Sequence, residues 1–235
     1  MDGRTARVTL RRDSPFKTAS AADEDMTRSN QPARAAIMGT GGYAVELYDV
    51  LAGSGIEIIG FIGPRNRTDL PKPWLGLDDR AVAELPKGID LFIAVAEASA
   101  RRRISDKLRS EGRTIATFIH PTAWVAASVR MGDEVIVYPN STVHANVHLG
   151  RGVLVNSNVT IGHDAWFGAF CNINPGVAIG GHVNVGDDAY IGMGAVVKEN
   201  VRIEARVVVG AGATVVCDLP YPGPYIGTPA RLLSR

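Results

Sequence analysis

Every sixth residue from Val125 to Val215 is apolar, in the unbroken order Val125, Met131, Val137, Val143, Leu149, Val155, Ile161, Phe167, Ile173, Ile179, Val185, Ile191, Val197, Ile203, Val209 and Val215. Four positions after each comes a second, mostly small series that includes Val129, Val153, Ala165, Cys171, Ala189 and Ala213. Glycine directly follows the first series at Gly132, Gly150, Gly162, Gly168, Gly180, Gly186, Gly192 and Gly210. A helix repeats its buried face every 3.6 residues and an isolated strand every two, so neither accounts for a period of six. Three short strands per coil, each turning a corner of a triangular prism, do account for it. One bulky aliphatic per side then points inward and stacks on its equivalent one coil later. Small residues relieve crowding at the corners, and the glycines are expected to take strained backbone angles there. Sixteen such positions, three to a coil, make a little over five coils. The eighteen-residue coil also sets vertical neighbours: Asp164 beneath His182, His163 beneath Gly181, and Asn156 beneath Asn174, Gly192 and Gly210.

Upstream the pattern changes to strands alternating with helices. Ala35 to Met38 is a short apolar run ending in Gly39-Thr40-Gly41-Gly42, after which Val45, Leu47, Tyr48 and Leu51 recur at helical spacing until Gly53-Ser54-Gly55. Ile56–Ile62 and Leu91–Ala96 read as further buried strands, Ala98–Glu111 as an amphipathic helix ended by Gly112, and Thr114–Ile119 as a fourth strand. Strands joined by helices imply parallel pairing in a small Rossmann-like sheet. The domain division is therefore 1–34, an extension with almost no apolar periodicity expected to be disordered; 35–121, a Rossmann-like nucleotide-sugar-binding domain; and 122–235, a left-handed parallel β-helix. Met26 offers an alternative start, and no secretory signal pattern precedes the first strand, which points to a cytoplasmic protein.

A net charge of +1 gives no electrostatic reason to expect nucleic acid or an anionic membrane as partner. No apolar run approaches the ~18 residues of a membrane helix, so membrane insertion is not expected. Cys171 and Cys217 show no metal-ligand or disulfide spacing and are expected to be buried, reduced thiols.

The turn Gly39–Gly42 lies between a strand and a helix, where backbone N–H groups can meet a phosphate. It lacks the full dinucleotide spacing, and Gly63-Pro64 stands where an acidic residue would end the second strand, which argues against a nicotinamide cofactor. Among the histidines, His120 precedes Pro121 and reads as structural, and His144 and His148 lie on outer faces. His163 and His182 are flanked by glycine columns that leave room for a ligand. The three-histidine zinc site of β-helical carbonic anhydrases needs a close histidine pair after a long gap, and spacings of 4, 15 and 19 lack it, so no metal is expected. His163-Asp164 suits acyl transfer: an imidazole with a pKa near ~6.5 accepts the proton that a nitrogen nucleophile loses on attacking a thioester, and a neighbouring carboxylate holds the ring and raises its basicity. Exposed glycine N–H groups can meet the developing oxyanion. A solvated surface histidine is the other reading of the same dipeptide.

Taken together, Gly39-Thr40-Gly41-Gly42, Phe92-Ile93-Ala94-Val95, Arg101-Arg102-Arg103-Ile104, Ile119-His120-Pro121-Thr122, Val155-Asn156-Ser157, Ile161-Gly162-His163-Asp164 and Gly227-Thr228-Pro229-Ala230-Arg231 resemble the bacterial sugar O-/N-acyltransferases, a hexapeptide-repeat family that includes nucleotide amino-sugar N-acetyltransferases and sialic-acid O-acetyltransferases. The resemblance covers about residues 35 to 235. It implies a homotrimer with each active site between neighbouring prisms, His163 as catalytic base and Asp164 as the acidic residue that tunes it. It places Gly41, Gly42 and Tyr43 at the nucleotide of the substrate and Asn156 near the sugar. Gly181, Met193 and Ala211 fall where relatives line an acetyl-CoA channel, and Asn172 where some have a CoA-contacting histidine. The implied reaction is acetyl transfer from acetyl-CoA to a nucleotide-linked 4-amino-4,6-dideoxy sugar for surface glycan. Tyr43 stands where relatives often have His, and Gly63-Pro64 replaces an acidic pair that contacts the nucleotide in some members, so the base is open. O-acetylation of a sugar hydroxyl and a non-catalytic trimeric ligand-binding protein are the alternatives.

Overall fold

A computed structural model describes residues 34–64, 67–86 and 88–233. The expected disordered extension and Met26 lie outside these residues, except Arg34, which opens the first strand and pairs with Glu57 at 3.1 Å. The chain forms two compact units that meet in sequence at Ala116/Thr117.

In the first unit the strands are β1 (Arg34–Met38), β2 (Glu57–Ile62), β3 (Trp74–Gly76) and β4 (Asp90–Ile93), and the helices are α1 (Gly42–Gly53), α2 (Asp78–Glu84) and α3 (Ala98–Ser110). The sheet order is β3-β2-β1-β4 with every pair parallel, as a Rossmann-like unit requires. Helix α1 buries Ala44, Leu47 and Leu51 and stops where Gly55 takes φ +85°. Helix α3 begins on Glu97, whose carboxylate accepts from the Ser99 and Ala100 amides, and ends at Gly112 with φ +70°. Strand β3 and helix α2 were not legible in the pattern. The first is a three-residue edge and the second a seven-residue helix, too short to show a period. The strand expected over Thr114–Ile119 is divided. Ile115 makes an isolated bridge to Leu91 in the first unit, whereas Phe118–Ile119 pairs with Ile136–Val137 in the second.

The second unit is the left-handed β-helix, whose two-residue strands form three parallel faces. The first face begins at Phe118–Ile119, the second at Trp124–Val125 and the third at Arg130–Met131. The ladders from Phe118 to Val215 join residues eighteen apart, as in Leu154↔Asn172 and Thr160↔Ala178, whereas Val207–Val209 pairs with Gly223–Tyr225 sixteen residues on, and Tyr225–Ile226 pairs antiparallel with Arg231–Leu232. From Val137 to Val215 the whole first apolar series is at most 4% exposed, and the small second series is buried as well. The polar member of that second series, Ser141, is buried with its hydroxyl donating to the Asn156 carbonyl and accepting from the Val159 amide. Cys171 sits in the same inward series, buried and outside any disulfide, with its thiol donating to the Gly168 and Gly186 carbonyls; Cys217 is likewise outside any disulfide but exposed, because its position is an outward one in the turn after Val215.

The role expected of the glycines needs correction. None of the eight that follow the first series has a positive φ; left-handed backbone recurs instead every sixth residue from Glu134 to Gly212, carried mostly by Asn, Asp and Gly and also by His182, Phe170 and Arg206. What the eight glycines answer is close approach between coils. A Cβ on Gly162 would lie 2.6 Å from the Gly180 carbonyl carbon, and one on Gly186 would lie 2.5 Å from the Ala205 nitrogen. Backbone of the next coil occupies the space a side chain needs.

Candidate active site

The turn from Gly162 to Ala165 joins the second face at Thr160–Ile161 to the third at Trp166–Phe167. The inward packing of Ile161 and Ala165 fixes its ends and turns His163 and Asp164 outward. His163 Nδ1 lies 2.7 Å from Asp164 Oδ2, with His163 60% exposed. Asn146, one coil below, donates from Nδ2 to Asp164 Oδ1 at 3.1 Å. These hydrogen bonds, that of His163 before that of Asn146, hold the Asp164 carboxyl below the usual carboxylate range. An ionised carboxylate only accepts, so Nδ1 carries the proton and Nε2 presents its lone pair. Nε2 faces Gly181: a Cβ there would come within 2.9 Å of it. His182 stands directly above Asp164, with Nε2 3.8 Å from the same Oδ2 and its ring perpendicular to that of His163 at 5.0 Å. The expected columns of Asp164 with His182 and of His163 with Gly181 are both present.

The donor atoms of His163, Asp164 and His182 lie within 4.8 Å of one another. Both carboxylate oxygens already accept hydrogen bonds, Oδ2 from His163 and Oδ1 from Asn146. The other histidines have different settings. His120 bonds Thr122, His144 packs edge-on against Trp124, and His148 stacks on Trp166 at an interplanar angle of 10°.

The remaining candidates divide by place. Gly181 shares the corner of His163 and Asp164 between the second and third faces. Asn156, Met193 and Ala211 lie at the corner between the first and second faces, with Met193 and Ala211 one coil apart in a single column. Asn172 is buried within a strand of the first face. One chain therefore brings together His163, Asp164 and Gly181 but leaves Asn156, Met193 and Ala211 at another edge of the prism. In the first unit Gly41 is the N-cap of α1, and a Cβ on Gly41 or Gly42 would meet nothing within 4 Å, so the amides at the helix start are approachable. Gly39, with φ +136°, is needed for packing, since a Cβ would lie 2.6 Å from the Ala94 carbonyl oxygen. The sequence reading overlooked Arg67, which donates from Nε and Nη2 to the two carboxylate oxygens of Asp69 and from Nη1 to the Thr40 carbonyl of the glycine turn at 3.0 Å. It also overlooked Asn146, whose signal was its offset of one coil from Asp164.

Residues 34–108 match the PglD N-terminal domain, and residues 128–163 and 182–217 match the bacterial transferase hexapeptide (six repeats). The acetyltransferase domain of PglB from Neisseria gonorrhoeae, solved in complex with acetyl coenzyme A, is 31% identical, with 86% of this chain and 100% of that one covered and a TM-score of 0.79. This chain belongs to the bacterial sugar acyltransferases. The acyltransferase is also 32% identical to PerB from Caulobacter crescentus, solved in complex with CoA and GDP-perosamine, over 88% of this chain and 99% of that one, at a TM-score of 0.80. WeeI from Acinetobacter baumannii shares the fold at 20% identity, with 85% of this chain and 100% of that one covered and a TM-score of 0.74. Comparison with curated protein sequences gave no match. Among the described residues no helix of the acyltransferase is long and apolar enough to cross a membrane.

Proposed function

We propose that the protein transfers an acetyl group from acetyl-CoA to the amine of a nucleotide-linked 4-amino-4,6-dideoxy sugar, in a step that belongs to surface-glycan synthesis in the cytoplasm. The observation that carries this reading is His163, oriented by an ionised carboxylate so that Nε2 is the free basic nitrogen on an exposed corner. The neutral amine attacks the thioester carbonyl, a C–N bond forms, and the tetrahedral intermediate expels CoA thiolate. Nε2 removes the proton from the nitrogen, and the imidazolium returns it to the departing sulfur. Asp164 offsets the transient positive charge. No residue of the chain is acylated and no metal takes part. Gly41, Gly42 and Tyr43 take the nucleotide and Asn156 the sugar, while Gly181, Met193, Ala211 and Asn172 serve acetyl-CoA.

The separation of these residues over two corners and a face of one prism supports a homotrimer, in which a corner of one chain meets a face of the next. So do the apolar side chains left on the outer faces, among them Trp124 at 55%, Val196 at 46% and Tyr190 at 40% exposed. The relatives solved with acetyl coenzyme A, or with CoA and GDP-perosamine, support the substrate class. The test is CoA release from acetyl-CoA in the presence of nucleotide 4-amino sugars and their hydroxyl-only analogues. Turnover confined to the amines is the expected result. Turnover of hydroxyl-only sugars would make the protein an O-acetyltransferase instead. His163→Ala is expected to lower kcat about 10²- to 10⁴-fold, the range of a general base. Wild-type rates in that variant would end the reading.

A further inference from the structure

We infer that His182 is a positioning residue for the base: it shares the Asp164 carboxylate with His163 and, through its own charge, limits how readily His163 is protonated. The inference deepens the proposed function and rests on His163 being the base. Four observations carry it. The His182 Nε2 is 3.8 Å from Asp164 Oδ2, the oxygen that His163 Nδ1 already holds at 2.7 Å. The two rings stand at 89° with centroids 5.0 Å apart. The His182 amide donates to the His163 carbonyl at 2.9 Å, which locks the two turns together. Finally, His182 keeps φ +58° at a turn position that Asn fills at 140, 146, 158 and 200, so the turn itself does not call for an imidazole.

The charges around His182 are few. His163 and Asp164 lie on the turn below, with neutral Asn146 beneath them. On the turn above are Lys198 and Glu199, paired at 3.7 Å, and neutral Asn200. Apart from the Lys198–Glu199 pair, the ionisable groups of this set are the two imidazoles and the Asp164 carboxylate. While His182 is neutral, Asp164 serves His163 alone. Once His182 is protonated it draws on the same carboxylate and repels an imidazolium at His163, keeping the base free at lower pH.

Rate–pH profiles of wild type, His182→Asn and His182→Arg, each at low and high ionic strength, test this. Both replacements suit the turn, which carries Asn at four equivalent positions and Arg at 206. Loss of the second charge in His182→Asn is expected to move the acid limb up by about half a pH unit, the effect of unit charges ~5 Å apart in water. KM for acetyl-CoA should stay within about 2-fold of wild type. The fixed charge of His182→Arg should move the limb down. Both displacements should shrink in ~1 M salt. Superimposed profiles, or a uniform loss of rate without displacement, would overturn the role of His182. An active His163→Ala would overturn the base itself, whatever His182 does.

Discussion

At the scale of single residues the His163–Asp164 pair is a matter of charge and tautomer. The Asp164 carboxyl lies below the usual range, so its stabilising effect is present above ~3.9 and is lost as pH falls through the lowered value. On the proposed mechanism Asp164 therefore acts as a carboxylate throughout the pH range around neutrality. Asp164→Asn keeps the left-handed turn, since Asn holds that conformation at Asn146 and Asn158. It cannot offset an imidazolium, however. Its acid limb is expected at lower pH and its kcat reduced, though by less than in His163→Ala, measured as CoA release across pH. Gly181→Ala is expected to separate stability from activity. The added methyl would lie 2.9 Å from His163 Nε2, the movable end of a side chain, so the ring shifts and the scaffold does not. The unfolding midpoint should stay near wild type while kcat falls at least about tenfold, the cost of misplacing a general base.

At the scale of the coil two kinds of glycine do different work. Gly186 answers close approach, and Gly212 answers backbone conformation. Alanine at 186 would press on the Ala205 nitrogen at 2.5 Å and its Cα at 2.8 Å, so Gly186→Ala is expected to cost about 1–3 kcal/mol in denaturant unfolding. Gly212 has φ +66° with nothing within 4 Å of a Cβ, and Gly212→Asn is expected to stay within about 0.5 kcal/mol of wild type. Equal losses in the two variants would contradict this division. Both positions were visible as glycines in the repeat. Which one faces backbone from the next coil depends on a spacing that no single coil reveals.

For the whole molecule, the proposed function requires residues on different corners to serve one acetyl transfer. A homotrimer of 25.0 kDa chains is the expected species in sedimentation. Mixed trimers provide the sharper test. When chains carrying His163→Ala are refolded with chains carrying Met193→Asp, each inactive alone, interfaces that take His163 from one chain and Met193 from another become complete. About a quarter of the sites should then recover under threefold symmetry. No recovery would place the whole site within a single chain.

The hexad rhythm alone determined the prism, its inward residues and its vertical neighbours, because a strict period of six leaves the backbone one way to bury every sixth side chain. The alternation upstream likewise determined a parallel sheet, although β3 and α2 were too short to register and Thr114–Ile119 carried no sign that it divides between two units. Only the tertiary structure decided that Asn146 braces Asp164, that His182 reaches the same oxygen, and that the left-handed turns fall three residues beyond each buried aliphatic. These features arise from contacts between successive coils, where residues eighteen apart in the chain become neighbours and their distances set which proton sits on which nitrogen.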